Sequence, residues 1–254
     1  MSKLVLFDID GTLVLTGGAG VRAMNRAVES LVGGTDLLQE IPVAGRTDWI
    51  ILHDALARIG RPMDDDLFAR IKDAYVANLR EEILQRGTGT KAVLPGIDAL
   101  LPVLQGREDI MLGLLTGNFH EGARIKLQYF DLWRYFRCGA FGDDAADRNA
   151  LVPFALERAR GCGLPAVAYE DVFVIGDTPH DVACADAVGA VPIAVATGSY
   201  SVDDLRRTGA RVVLEDLSDT NGFLEILDSY SDQSWERGAE TSQRGTSVPR
   251  SRQV

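Results

Sequence analysis

The sequence predicts an α/β fold: a Rossmann-like parallel sheet sandwiched by helices, with an α-helical cap domain inserted into it. Three observations lead to this prediction. Short apolar runs rich in β-forming residues alternate along the chain with helical patterns, and each run ends in polar turn residues. One long segment after the first run carries helical patterns without a convincing strand. Alternating strands and helices are typical of a parallel sheet covered on both faces, whose ligands bind beyond the carboxyl ends of the strands.

Four apolar runs are interpreted as strands of this sheet, at residues 4–7, 110–115, 172–175 and 192–195. The turns that follow them read Asp-Ile-Asp-Gly-Thr, Thr-Gly-Asn, Gly-Asp-Thr-Pro and Ala-Thr-Gly. Helical patterns lie between the runs, at 97–104 and 151–160. Because parallel strands end at the same edge of a sheet, the four polar turns should gather there.

The segment between the first and second predicted strands is interpreted as a helical insertion. Its apolar residues form three stripes with the three- and four-residue spacing of amphipathic helices. The stripes comprise Val21, Met24, Val28 and Leu31, then Trp49, Leu52, Leu56 and Ile59, then Phe68, Ile71, Tyr75, Leu79 and Ile83. Thr47 is predicted to N-cap the second helix. Because the insertion directly follows the aspartate-rich turn, a lid over the site is favoured over an appendage that only stabilises the fold.

The domain boundaries follow from these patterns. Residues 1–15 and 92–228 are predicted to form the α/β core domain, and residues 16–91 the helical cap domain. Residues 229–254 are predicted to be a disordered tail, because their composition leaves little to bury.

The composition excludes several classes of partner. The 254 residues are 46% apolar and 25% charged, as in an ordinary globular protein, and their formal charge of −11 would repel nucleic acids and anionic membranes. Three scattered cysteines are too few for a disulfide framework or a zinc site and are typical of a reducing cytoplasm. Acids directly behind the first apolar run exclude a signal peptide, and no segment approaches transmembrane length. The oligomeric state is left open.

Carboxylates cluster at the predicted strand ends. Asp8 and Asp10 lie two residues apart, so both side chains could face one pocket, where paired carboxylates suit metal binding and acid/base chemistry. Asp177 and Asp181 bring two more acids to the same edge, and this charge calls for a hard divalent cation, Mg²⁺ above all. The alternative for Asp177 is that it N-caps the following helix.

Phosphate-binding groups are predicted after the second strand. Thr116, Gly117 and Asn118 offer a hydroxyl, an unencumbered backbone N–H and a side-chain amide. Such donors can surround the oxygens of a phosphate group. By itself this tripeptide would be only a turn, but three matched motifs at strand ends are hard to explain as turns alone.

These motifs together closely resemble the haloacid dehalogenase-like (HAD) hydrolase superfamily, in its phosphatase branch with a helical C1-type cap, of the phosphoglycolate phosphatase-like kind. The resemblance covers roughly residues 1–227. Its first motif appears as Asp-Ile-Asp-Gly-Thr at 8–12, its second as Thr116, and its fourth as the stretch with Asp177 and Asp181.

The resemblance implies roles for these residues. Asp8 would attack phosphorus and become an aspartyl phosphate, while Asp10 would protonate the leaving oxygen and later take a proton from water. Mg²⁺ would be held by the Asp8 carboxylate, the Asp10 backbone carbonyl and Asp177, with Asp181 supporting them from behind. The transferring phosphoryl group would be bound by Thr116, Gly117 and Asn118.

The third motif departs from the family pattern, because no lysine occurs between residues 138 and 171. Arg148 is the best substitute, since it precedes the helix at 151–160 and a guanidinium can bind phosphate through two hydrogen bonds. The alternative for Arg148 is a surface arginine paired with Asp144 or Asp147. Arg46, in a cap turn, could meet an anionic part of the substrate, and its alternative is an exposed arginine at a helix start.

The function that the resemblance implies is Mg²⁺-dependent hydrolysis of a small phosphomonoester, with phosphoglycolate as one candidate substrate. One alternative is a sugar-phosphate mutase of the β-phosphoglucomutase kind, which also forms an aspartyl phosphate but hands the phosphoryl group to a sugar. Another is a non-catalytic phosphate-binding module, although that alternative requires a broken acid, and Asp8, Asp10 and Asp177 are all present.

Overall fold

A computed structural model of the protein describes residues 2–230. Its strands are β1 (Lys3–Phe7), β2 (Val14–Thr16), β3 (Lys91–Val93), β4 (Ile110–Leu115), β5 (Cys138–Ala140), β6 (Val172–Gly176), β7 (Val191–Val195) and β8 (Val212–Leu214). Its helices are α1 (Ala19–Val32), α2 (Asp48–Arg58), α3 (Asp65–Glu82), α4 (Ile97–Gln105), α5 (His120–Tyr129), α6 (Leu151–Gly161), α7 (Pro179–Asp186), α8 (Val202–Arg206) and α9 (220–230). Every helix in this range falls short of the length and apolar character that a membrane crossing requires.

Six strands form a parallel sheet in the order β5-β4-β1-β6-β7-β8, which confirms the predicted fold class. The four predicted strands are β1, β4, β6 and β7, each within one residue of its predicted bounds. The edge strands β5 and β8 were not predicted, since three residues are too few to show a period. β1 lies between β4 and β6, so the turns after these three strands are neighbours.

The core covers both faces of the sheet. Val5 and Phe7 of β1 pack with α4, α5 and α9, while Leu4 and Leu6 pack with α6 and α7 on the opposite face. Because both faces are buried, β1 is a continuous apolar run rather than an alternating one. This burial holds the residues after β1 in a fixed place at the lip of the core.

The insertion contains the three predicted helices, α1 to α3, which pack around an apolar core of their own. Thr47 caps α2, because its side chain accepts a hydrogen bond from the Ile50 N–H at 3.3 Å. Phe119, from the segment after β4, completes this second core and packs edge-on against Phe68 and Tyr75 of α3. The insertion is therefore fastened to the sheet beside the second polar turn.

An antiparallel pair of strands, β2 and β3, joins the insertion to the sheet, and the sequence did not predict it. The predicted domain boundaries at 15/16 and 91/92 fall within these two strands. Ser229 and Tyr230, which the composition assigned to the tail, belong to α9, where the Tyr230 ring packs on Phe173. The rest of the predicted tail, 231–254, lies outside the described residues.

Candidate active site

The turns after β1, β4 and β6 converge on one cavity of about 530 Å³ between the sheet and the insertion. The predicted site residues that line it are Asp8, Asp10, Arg46, Thr116, Gly117, Asn118, Arg148 and Asp177. Asp181 is buried beside the cavity, against Arg148 and Asp8. The spatial convergence that the sequence predicted is therefore present.

Asp8 sits at the base of the cavity with 4% of its surface exposed. Its backbone N–H donates to the Ile175 carbonyl at 2.9 Å, which extends the pairing of β1 with β6 into the turn. Burial raises the pKa of the Asp8 carboxyl to about 6, an effect that nearby Arg148 opposes and the Asp181 charge reinforces. The ionised form of Asp8 therefore depends on positive charge close by.

Arg148 supplies part of that charge. It lies in a short 3₁₀ turn before α6, is 6% exposed, and places a guanidinium nitrogen 3.3 Å from Asp8 Oδ1 and against Asp181 Oδ1. The guanidinium also donates to the carbonyls of Gly45 at 3.2 Å and Leu115 at 3.4 Å. It therefore connects the nucleophile candidate, the carboxylate behind it and the insertion.

The surface alternative for Arg148 is wrong. Asp144 pairs instead with Arg158, and Asp147 accepts the Asn149 N–H at the start of the 3₁₀ turn. The Arg148 Nε–H is a buried donor with no acceptor among residues 2–230. A free buried donor of this kind is costly unless a ligand oxygen meets it.

Asp8, Asp177 and Asp181 form a group of carboxylates with oxygens within 4.8 Å of one another, all three buried. Burial, together with repulsion from the charges of Asp181 and Asp8, raises the pKa of Asp177 to about 8. Arg148 contacts Asp8 and Asp181, and Asp177 is held by the Thr12 hydroxyl at 3.1 Å. Hard oxygen donors with uncompensated charge fit a divalent metal ion.

Asp181 is the helix-capping acid in this motif, so the alternative that Asp177 caps α7 is wrong. The N-cap residue is Thr178, and Asp181 Oδ2 accepts hydrogen bonds from its N–H at 3.0 Å and its hydroxyl at 2.7 Å. Asp181 Oδ1 pairs with Arg148. Because protein donors occupy both oxygens of Asp181, the Asp177 carboxylate is left to face the cavity.

The turn after β1 requires glycine at position 11. Gly11 has φ 84°, in the left-handed region, and a Cβ there would collide with the Asp177 carboxylate. The Asp-Ile-Asp-Gly-Thr turn and the Asp177 side chain can therefore pack directly against each other.

Asp10 faces a polar network on the β4 side of the cavity. Asn118 Nδ2 donates to Asp10 Oδ2 at 2.9 Å and to Thr116 Oγ1 at 2.8 Å. Lys126 of α5 donates to the same Asp10 oxygen at 2.5 Å. Asn118 thus links Asp10 to Thr116 in the cavity.

Sequence reasoning missed Lys126, because only residues 138–171, which precede the third predicted strand, were considered for the lysine of the third motif. A signal was available. Lys126 lies between the buried residues Ala123 and Leu127 on the inward face of α5, where an unpaired lysine is very unfavourable. A lysine on an apolar helix face is a candidate for a buried ion pair.

The insertion closes over the site through a short segment, residues 45–48. The Asp48 N–H donates to the Gly117 carbonyl at 2.8 Å, Asp48 Oδ2 accepts the Phe119 N–H at 2.8 Å, and the Thr47 hydroxyl donates to the Ala146 carbonyl at 2.8 Å. A Cβ at Gly117 would collide with the carbonyl of the preceding cap turn. Glycine at 117 therefore permits the close contact between the insertion and the turn after β4.

Arg46 belongs to this segment, but its guanidinium is tied within the insertion. It donates to Asp54 at 2.6 Å and to the Pro42 carbonyl at 3.0 Å. The side chain is only 19% exposed, so the alternative of an exposed arginine does not hold. Contact between Arg46 and an anionic part of a substrate stays a prediction. Such a substrate would compete with Asp54 for the Arg46 guanidinium.

We expect the group of Asp8, Asp177 and Asp181 to make the stability of the fold depend on pH and on a divalent metal ion. The folded-state pKa values of Asp8 and Asp177, about 6 and about 8, lie above the ordinary value of 3.8. Protons bound to these carboxyls therefore stabilise the fold. That stabilisation is lost as the pH rises through about 6 for Asp8 and about 8 for Asp177. A divalent cation can replace those protons. At about pH 8, Mg²⁺ at a hundredfold excess over its Kd should add about 2.7 kcal/mol, or about 5 to 10 °C in melting temperature.

Thermal melts in chelator and in Mg²⁺, from about pH 5 to about pH 8, measure this effect. Stabilisation by Mg²⁺ should shrink towards low pH, where protons compete with the cation. Asp177→Asn should abolish most of it, whereas Asp98→Asn, an exposed change on α4, should not. An equal Mg²⁺ effect in the Asp177→Asn protein would contradict the assignment of this site.

Comparisons with known proteins agree with this geometry. A family model described as haloacid dehalogenase-like hydrolase matches residues 5–186. The chain is 27% identical over 228 residues to the Dickeya dadantii (strain 3937) protein named "Probable phosphatase IndB", covering 89% of this chain and 95% of that protein. It is 28% identical over 225 residues to "Phosphoglycolate phosphatase" of Rhodospirillum rubrum, covering 88% and 91%. A solved hydrolase from Pseudomonas syringae shares the fold, with TM-score 0.62, 23% identity and coverage of 89% and 99%.

Proposed function

Because the chain belongs to the haloacid dehalogenase-like hydrolase family, we propose that it is a Mg²⁺-dependent phosphatase acting on a small phosphorylated metabolite. The observation that carries this proposal is the convergence of Asp8, Asp10, Thr116 and Asp177 on one cavity, with Arg148 against Asp8. The phosphatase names of two relatives covered over most of their length support it. Phosphoglycolate is the candidate substrate that the second relative suggests.

Asp8 is the proposed nucleophile. Its carboxylate attacks phosphorus, a bond forms between the Asp8 oxygen and phosphorus, and the ester P–O bond breaks. The leaving alcohol takes a proton from Asp10. The aspartyl phosphate formed in this way splits one difficult displacement into two easier ones. Water then attacks the aspartyl phosphate, the Asp8–phosphorus bond breaks, and Asp10 takes the proton back as inorganic phosphate leaves.

The remaining residues bind and orient the phosphoryl group. Thr116, Gly117 and Asn118 present donors from the turn after β4, and Arg148 presents its unpaired Nε–H and its charge. Such transfers depend mainly on positioning and on neutralising the charge of the phosphoryl oxygens. Arg148 holds Asp8 in place while it shares that neutralisation.

Mg²⁺ would be held by the carboxylates of Asp8 and Asp177 and by the backbone carbonyl of Asp10. Asp181 would support the site from behind, because its own oxygens bind Thr178 and Arg148. When bound, the cation supplies the charge that the cluster lacks and neutralises phosphoryl oxygens.

Residues 16–91 act as the cap domain, and their closure through residues 45–48 keeps bulk water from the site. Free cysteines at 138, 162 and 184 favour a reducing cytoplasm as the place of action.

Phosphate release from a panel of phosphorylated metabolites, including phosphoglycolate and a generic aryl phosphate, tests this proposal. We expect inorganic phosphate and alcohol in equal amounts with Mg²⁺, and a loss of at least about 100-fold in chelator. A sugar phosphate isomerised without phosphate release would favour a mutase instead. Binding of phosphate esters with no turnover would favour a non-catalytic module.

A further inference from the structure

The ammonium group of Lys126 is an unassigned cation inside the cavity. Lys126 is 4% exposed and reaches the cavity from the middle of α5. It donates to Asp10 Oδ2 at 2.5 Å and to Asn118 Oδ1 at 2.6 Å. A buried ammonium is costly unless it is paired and hydrogen-bonded, so these contacts define where it sits.

Lys126 determines which way the Asn118 amide faces. An ammonium group has donors and no acceptor, so the Asn118 atom beside it must be the carbonyl oxygen. The Asn118 NH₂ then faces Asp10 Oδ2 and Thr116 Oγ1, at 2.9 and 2.8 Å. Without the ammonium, the opposite amide orientation would become available and would remove a donor from Asp10.

Both donors converge on the same oxygen of Asp10. Lys126 and Asn118 bind Oδ2, and no residue among 2–230 forms a side-chain hydrogen bond with Oδ1. The Asp10 side chain is 43% exposed, so its carboxylate is not held by burial alone. The two contacts therefore select Oδ1 as the oxygen that can carry a proton to or from the reacting groups.

The insertion helps to place this ammonium. A Cβ added to Gly20 of α1 would lie 3.3 Å from Lys126 Nζ and 3.4 Å from Cε, so glycine leaves the space that the ammonium occupies. Tyr75 of α3 lies against the same place, 3.9 Å from that Cβ position through its hydroxyl. Lys126 is thus confined between the sheet and the cap.

We propose that Lys126 is a positioning residue that acts through Asp10, holding Oδ2 so that Oδ1 exchanges the proton with the leaving alcohol. This inference rests on the proposed function, in which Asp10 is the general acid. An acid that is misplaced by about 1 Å can lose about 100-fold in rate. The loss of rate should be largest for substrates whose leaving alcohol is most basic, because such an alcohol leaves only when it is protonated.

Leaving-group dependence tests the inference, with kcat/KM reporting the steps up to transfer onto Asp8. Butyl phosphate releases a strongly basic alkoxide unless it is protonated, whereas p-nitrophenyl phosphate releases a stable phenolate. Lys126→Met should lower kcat/KM about 100-fold for butyl phosphate and at most about tenfold for the aryl ester. Arg124→Met, which removes an exposed cation from the same helix, is the control and should change neither.

A double-mutant cycle separates positioning from direct substrate binding. If Lys126 acts through Asp10, then adding Lys126→Met to Asp10→Asn should cost less than about threefold for butyl phosphate. Equal losses on both esters, or a full further loss in the Asp10→Asn background, would overturn the inference and make Lys126 a phosphate-binding group. Should the methionine variant not fold, Lys126→Gln, which keeps a donor without the charge, enters the same comparison. Wild-type protein that releases phosphate from neither ester and from no member of the metabolite panel would overturn the proposed function, and this inference with it.

Discussion

Replacing Asp8 with asparagine is expected to lower kcat for phosphate release by a factor of about 10⁴ or more, since the variant has no nucleophile. The amide has nearly the shape of the carboxylate, so the cavity should keep its form. Asp8 is a buried carboxyl whose pKa is raised to about 6 by its surroundings, and its removal relieves repulsion with Asp181. The variant should therefore fold at least as stably as the wild type, and its loss of activity would be chemical.

Two measurements check this result. Steady-state phosphate release gives the rate, and rapid acid quenching of the wild type with substrate should trap a phosphoryl group that hydroxylamine removes, as expected for an acyl phosphate. Asp8→Asn should trap none. Asp98→Asn, an exposed exchange of the same type on α4, is the control and should keep full activity. Persistent turnover in Asp8→Asn would refute the nucleophile and the covalent mechanism.

Replacing Arg148 with alanine is expected to reduce both activity and stability. Without the guanidinium, Asp8 and Asp181 face each other uncompensated in a buried place, which should cost about 3 to 5 kcal/mol in the free energy of unfolding. A cation that stabilises a transferring phosphoryl group contributes about 10³ to 10⁵ in kcat, and a loss in that range is expected. Arg158→Ala, which removes a half-exposed arginine paired with Asp144, is the control for both measurements.

A second variant separates the two effects of Arg148. Arg148→Met combined with Asp181→Asn removes both members of the buried ion pair, an exchange that is often nearly neutral for stability. The double variant should therefore regain most of the lost stability, as measured by denaturant unfolding. Its rate of phosphate release should stay low. Near-normal rates in Arg148→Ala at a temperature where it is folded would reject the role of this arginine.

The sequence predicted the elements that leave a local pattern, either an unbroken apolar run or an apolar stripe with a regular period. Four strands were found because each is a run of β-forming residues buried on both faces, and three cap helices because their apolar stripes repeat every three or four residues. The short strands β2, β3, β5 and β8 were not found. Three residues carry almost no periodic signal, and their pairing depends on a partner strand that lies far away in the chain.

The residues of the candidate site divide in the same way, into those that a local pattern predicts and those whose role depends on distant partners. Asp8, Asp10 and Asp177 could be named because each follows a strand, and parallel strands bring their carboxyl ends to one edge. The alternatives for Arg148 and Asp177 could not be decided, because they turn on which partner a long or flexible side chain meets. Lys126 was missed altogether: its apolar neighbours on α5 mark it as a candidate for a buried ion pair, but its partner Asp10 is 116 positions away and the sequence does not identify that partner.

By itself, then, the amino-acid sequence determined the α/β sheet with its helical insertion and the acids at the sheet edge, because local periodicity and strand ends are properties of neighbouring residues. Only the tertiary structure decided that Arg148 lies against Asp8, that Thr178 and Asp181 cap α7 while Asp177 faces the cavity, and that Lys126 holds Asp10. The contacts of Arg148 with Asp8 and of Lys126 with Asp10 join residues that are distant in the chain. Their free energy depends on burial and on the direction of each side chain, and packing alone sets both.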